Sequence, residues 1–139
     1  MNTKKEFQRI MSTQAEIALA TSVNNVTNVR IVNFFYEGNS KTLYFATFGD
    51  NAKIKEFEQN RNVAFTTIPH NGTEHVKAKG QVFKSSLSVF DVQDHFISKI
   101  PDYKDTIEQA GQFLILFEIK FDTAEVTLDF ENIDILSLA

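Results

Sequence analysis

The chain contains no cysteine, which excludes disulfides, thiolate metal sites and cysteine nucleophiles. It also lacks tryptophan and carries fourteen phenylalanines, so a core built on Phe is predicted. A basic excess is missing too. Fourteen Lys and Arg against eighteen Asp and Glu leave a net charge of −4, with no general electrostatic reason to meet a phosphate backbone. The opening "MNTKKEFQRIM" holds no long apolar run, so neither a secretory signal nor a membrane span is expected, and a cytoplasmic location follows as the default. No repeat, linker or low-complexity segment appears. What is present is ordinary for a globular protein: 42% hydrophobic and 23% charged residues in a chain of 139. A single domain over 1–139 is expected, burying roughly two thirds of its unfolded surface.

Phe7, Ile10 and Met11 fall three and four apart in "KKEFQRIMST" and predict a short amphipathic helix. "EIALATSV" and "NVRIVNFFYE" read as strands around the turn signal Asn24-Asn25, and "EGNSK" leads into "TLYFATF", giving a three-strand meander. "NVAFTTI" and "HVKAKGQVFK" predict two more strands joined across "PHNGTE". "SLSVFDVQDHFISKI" predicts a helix with Val89, Val92, Phe96 and Ile100 on one stripe and Pro101 past its end. "DYKDTIEQA" reads as a further short helix, "FLILFEIKF" and "AEVTLDF" as strands, and "IDILSLA" as a tail strand. About seven strands with local connections point to a mainly β, antiparallel barrel or sandwich with helices at its rim.

One stretch has its charges in an unfavourable order. In "FGDNAKIKEFEQ", Lys53 and Lys55 sit near a helix start and Glu56 and Glu58 near its end, against the macrodipole. Gly49 permits tight or positive-φ geometry, Asp50 or Asn51 can cap the helix, and the N–H groups of Asn51, Ala52 and Lys53 would point outward together. That is a phosphate cradle with a lysine added. The plainer alternative pairs Lys53 with Glu56 and Lys55 with Glu58 on a solvated face. A second cation, Arg30, lies between Val29 and Ile31 in an apolar strand, either on the wet face or holding something. Its planar fork suits phosphate oxygens.

"VRIVNF", then "LYFATFGDNAKIKEFEQNRNVAF", then "HVKAKGQV" ending near Gly80, resembles the pyridoxamine 5′-phosphate oxidase-like, FMN-binding split β-barrel family, most closely over residues 16 to 84. The resemblance implies an antiparallel split barrel of Greek-key type. It implies that Arg30 and Lys53 hold the FMN phosphate, with Thr47, Asn51 and Ala52 beside it. Main-chain groups of Ile31, Val32, Asn33 and Ala46 would line the flavin ring. His75 and Lys77 would stand near the ring, as a cationic or donating group at its N1–C2=O edge. A homodimer with the flavin at the interface is implied as well, with NAD(P)H or a small-molecule substrate as redox partner.

Two departures bear on the reaction. Asn51 stands where many relatives have Ser, and "DFENIDILSLA" lacks the Arg and His with which the oxidases grip the vitamin's phosphate. The oxidases' helix tyrosine is replaced around His95. A small FMN-dependent flavoprotein of unassigned substrate is therefore expected, not an oxidase of pyridoxamine phosphate. A non-catalytic flavin- or haem-binding protein is the alternative, with deazaflavin also open; a small barrel of the oligonucleotide- or oligosaccharide-binding kind is a further class, its nucleic-acid form opposed by the acidic balance. His70, His75 and His95 match no zinc spacing. Asp91, Asp94, Asp102 and Asp105 are read as a charged outer face, and the strand aromatics Phe34, Phe35, Tyr36, Tyr44 and Phe45 as core.

Overall fold

A computed structural model describes every residue but 50, and residues 51–53 in their backbone only. Helix α1 (Thr3–Thr13) starts where the Asn2 side chain accepts the Lys5 N–H at 3.2 Å. It buries the predicted stripe of Phe7, Ile10 and Met11. Strands β1 (Glu16–Val23) and β2 (Val26–Glu37) form a hairpin closed by Asn24 and Asn25, at φ 53° and 64°. Two successive positive-φ residues give a turn whose twist matches that of the strands, and asparagine tolerates this conformation well. β3 (Thr42–Phe48) completes the meander.

β4 (Asn62–Thr67) returns to pair with β1, giving the order β4-β1-β2-β3 of a Greek key. The long connection that makes this return contains α2 (Asn51–Gln59). β5 (His75–Lys84) pairs with β4, and β6 (Leu114–Lys120) pairs with both β3 and β5. The six strands β1-β2-β3-β6-β5-β4 thus close on themselves as an antiparallel barrel. β7 (Thr123–Asp129) joins the start of β5 and β8 (Asn132–Ser137) joins β7, outside the closed ring. Gly80 lies where β5 passes from one neighbour to the other. A Cβ there would stand 2.4 Å from the Lys120 carbonyl oxygen, so glycine is what allows the close approach.

The interior is the phenylalanine core expected. Phe45 and Phe117 stack at 5.5 Å, and Phe57 of α2 meets both edge-on, at 6.1 and 4.9 Å between centroids. Phe57 is therefore the plug by which the Greek-key connection is fastened over one end of the barrel. A second cluster lies outside the wall, where Phe35, Ala46 and Leu116 are covered by α3 (Gln93–Lys99) and α4 (Tyr103–Ala110) through Val89, Val92, Phe96, Tyr103 and Ile107.

The helix expected through residues 87–100 is shorter than its stripe. Val89 and Val92 are buried as predicted, but from turns that precede Gln93. Asp91 accepts both the Ser88 N–H, at 2.8 Å, and its hydroxyl, at 3.1 Å. Such side-chain bonds offer the backbone an alternative to helix. Among the described residues no helix is long and apolar enough to cross a membrane.

Candidate cofactor site

The pairing between β2 and β3 stops early. Its last partners are Phe34 and Phe45, although β3 runs on to Phe48 and β2 reaches back to Val26. A continued register would set Asn33, Val32 and Ile31 against Ala46, Thr47 and Phe48. Those β3 residues stay instead with β6, and residues 26–33 stay with β1. The barrel wall is parted here into a seam.

Alternation along β2 decides what the seam receives. The Phe34 N–H donates to the Ala15 carbonyl at 3.1 Å, so the even-numbered amides of β2 face β1. Ile31 and Asn33 accordingly turn their main-chain groups into the seam, while Val32 turns its own toward β1 and packs its side chain on the core. Side chains alternate by the same rule. Val29 and Ile31 point outward, 65% and 61% exposed, and Phe48 and Phe113 on the facing edge are also exposed. Arg30 points inward.

Arg30 is therefore not on the wet face. Its side chain is 16% exposed, with Nη2 3.2 Å from Glu56 Oε2 and the guanidinium 5.3 Å from the centre of the Phe57 ring. Thr21 donates its hydroxyl to Glu56 Oε1 at 2.5 Å. Glu56 is thus committed to Arg30 and Thr21, a partnership the sequence does not announce. Lys55 and Glu58 form no ion pair among the described residues. Arg30 Nη1 is buried and has no hydrogen-bond partner among the described residues. A charged donor left unmatched costs on the order of 1–3 kcal/mol, so an acceptor is called for at that nitrogen. Beside Glu56, between the β1–β2 hairpin and α2, opens a groove of about 370 Å³.

Thr47 is buried, next after Phe45 on the inward face of β3. Ala46 is buried on the outward face. Gly49 does not use a positive φ. Its N–H donates to the Phe113 carbonyl at 3.0 Å, and a Cβ would meet Ile115 at 2.4 Å, so its part is close approach. The side chains of Asn51, Ala52 and Lys53, and Asp50 entirely, lie outside the described residues; α2 begins at Asn51, at the mouth of the seam.

His75 and Lys77 are not brought to Arg30 within one chain. From Arg30 the register crosses Leu19 and Phe65 to Ala78, three strands away. Val76 between them faces the core, so both point outward. His75 Nδ1 lies 2.7 Å from the Thr73 carbonyl, and Lys77 pairs with Glu125 at 3.5 Å. His95 stacks on Phe35 at 5.0 Å. Sequence reasoning missed Glu56, Thr21 and the exposed apolar row. The alternation Val29-Arg30-Ile31 held the signal for the last of these.

A closed antiparallel barrel with one parted seam, a helix beginning at its mouth and a buried cation beneath defines a split barrel. The family model described as pyridoxamine 5′-phosphate oxidase-like matches residues 10–133, and the chain belongs to that family. Among solved structures, General Stress Protein 26 from Bacillus anthracis str. Sterne superposes with a TM-score of 0.75 at 19% identity, over 99% of each chain. A heme binding protein from Mycobacterium smegmatis gives 0.77 at 8% identity, over 99% of this chain and 59% of that one. An FAD-binding protein from Mesorhizobium loti gives 0.65 at 18%, over 86% and 90%. These likenesses show the fold. A search of the curated proteins finds no match.

Proposed function

We propose that this chain is an FMN-binding flavoprotein, and an oxidoreductase acting on a small molecule other than pyridoxamine phosphate. The observation that carries the reading is the buried, unmatched Nη1 of Arg30 beneath the seam. A phosphate oxygen is the acceptor that fits a guanidinium already oriented by Glu56 and Phe57. The backbone at the start of α2 supplies amides, with Lys53, Asn51 and Ala52 as its members, and Thr47 stands on the same inward face as Arg30. The bare main-chain edge of Ile31 and Asn33, with Ala46 opposite, offers the ring its hydrogen-bonding partners.

When bound, the flavin supplies the electron and hydride chemistry; the chain supplies position, charge and exclusion of water. The exposed Val29, Ile31, Phe48 and Phe113 give the seam an apolar outer border that a second copy would cover, which supports a homodimer. In such a dimer His75 and Lys77 reach a ring held at Arg30 only from the second copy.

The test is an FMN titration of the wild type, Arg30→Ala and Lys53→Ala, followed by flavin absorbance and fluorescence quenching. Loss of one charge-assisted phosphate contact weakens binding by ~1.5–3 kcal/mol, roughly ten- to a hundredfold. Equal affinity in Arg30→Ala and wild type sinks the assignment. Steady NAD(P)H consumption by the loaded protein with an electron acceptor then separates an enzyme from a carrier.

A further inference from the structure

A roomy cavity lies away from the seam. It measures about 530 Å³ and lies between α1, the β2–β3 turn and the end of β8. Tyr36 lines it, six residues along β2 from Arg30 and so ~20 Å away. Its floor is apolar: Phe7, Met11, Tyr36 and Leu138, with the Phe7 and Tyr36 rings edge to face at 5.3 Å. Its rim carries two ammonium groups, Lys4 and Lys41, beside the α-carboxylate of Ala139, and no Asp or Glu side chain lines it.

That charge pattern runs against the rest of the chain, whose net charge is −4. Among the described residues neither lysine has a carboxylate partner in an ion pair. Lys41 donates to the Leu138 carbonyl, a neutral acceptor. Lys41 also sits at φ 54°, a backbone position that a β-carbon disfavours. The Tyr36 hydroxyl makes no hydrogen bond to another described residue. Burial raises its pKa, with the Glu37 charge adding to the effect, so the hydroxyl stays a neutral donor.

We propose that this cavity is a second ligand site, separate from the seam, for a small amphipathic monoanion: a carboxylate on the Lys4–Lys41 rim with an aliphatic or aromatic tail on the Phe7–Tyr36–Leu138 floor. A pocket of this volume, with an apolar floor and a few converging polar groups, is of the size and make-up of small-molecule sites. The polar head selects the anion, and the floor holds the tail.

The test uses the full chain and two probes of equal length, octanoate and 1-octanol. The absence of tryptophan makes Gly38→Trp a unique fluorescent reporter on the cavity rim, at a position where an added Cβ meets nothing within 4 Å. Isothermal titration of the unmodified chain supplies the affinities. Octanoate is expected to bind saturably and about tenfold or more tighter than octanol. The double variant Lys4→Gln/Lys41→Gln should bring octanoate to the octanol level with circular dichroism unchanged, and Arg30→Ala should leave octanoate binding as it is. Equal binding of acid and alcohol, indifference to the double lysine variant, or no saturation of either probe overturns the proposal. So does loss of octanoate binding in Arg30→Ala, which would place the anion in the seam.

Discussion

The two halves of β2 are both rich in apolar strand formers and have opposite fates. Residues Phe34–Glu37 pair with β3, the Phe34 N–H also reaching the Ala15 carbonyl, and the side chains of Phe34, Phe35 and Tyr36 enter the two hydrophobic clusters. Residues 26–33 pair with β1 alone, and their apolar members Val29 and Ile31 face outward while Arg30 shares the inside with Val32. A stretch whose side chains are buried on both faces contributes stability, and one with a bare edge and an exposed face can bind. The seam is thus a place where packing has been given up next to a half that is packed fully.

The largest effect separates the halves by stability. Phe34 is fully buried, and Phe34→Ala is expected to cost ~3–5 kcal/mol in urea unfolding. Ile31→Ser removes an equally hydrophobic side chain from the bare half and should change monomer stability by no more than ~0.5 kcal/mol. Its effect should fall on association, seen as a lower dimer fraction in sedimentation. If Ile31→Ser unfolds as readily as Phe34→Ala, the bare half is structural and the comparison fails.

The packed half also holds a lysine. Lys99 Nζ donates to the Met11 and Phe34 carbonyls, each at 3.0 Å, and lies 3.4 Å from the centre of the Phe34 ring. Burial lowers its pKa to about 7, well under its value in an unfolded chain. Between those two values the unfolded chain binds more protons than the folded one, so stability rises with pH by up to ~1.4 kcal/mol per unit. Between pH 7 and 9.5 the wild type should therefore gain ~3 kcal/mol relative to Lys99→Met. Above that the gain levels off, because the lysine of the unfolded chain also begins to lose its proton. A constant gap would mean that the two carbonyls and the ring hold the ammonium charged throughout.

Much of this was legible because it is local. The Asn24-Asn25 pair demands a hairpin turn, the spacing of Phe7, Ile10 and Met11 demands a helix face, and both stand as read. The ordered stretches around Arg30 and residues 43–66 carried the family, and the family model covers residues 10–133. The barrel itself, as opposed to a sandwich, rests on the β1–β4 and β3–β6 pairings, which no local signal specifies. The seam is illegible for the same reason, since it is the absence of a long-range pairing. The contact between Glu56 and Arg30, 26 residues distant, is set by how α2 crosses the barrel end, while the alternative pairing of Glu56 with Lys53 falls on a side chain outside the described residues.

That crossing supplies the smallest effect and the sharpest test of the bare half. Glu56 balances Arg30 when the seam holds no anion, and Thr21 steadies it from the β1 side. Glu56→Gln keeps the size and an acceptor for the Thr21 hydroxyl but removes the charge. The pair is partly exposed, so the loss in the unloaded chain is expected to be ~1 kcal/mol, a few degrees in Tm. A bound phosphate would bring negative charge to the same guanidinium and make good part of that loss. Saturating FMN should therefore raise Tm more in Glu56→Gln than in the wild type, because a ligand stabilises by its preference for the folded state and the variant's folded state has more to gain. An equal or smaller shift would mean that Glu56 and the phosphate do not share Arg30. The anion would then have to be held by α2 alone, and the packed and bare halves of β2 would differ in exposure without differing in purpose.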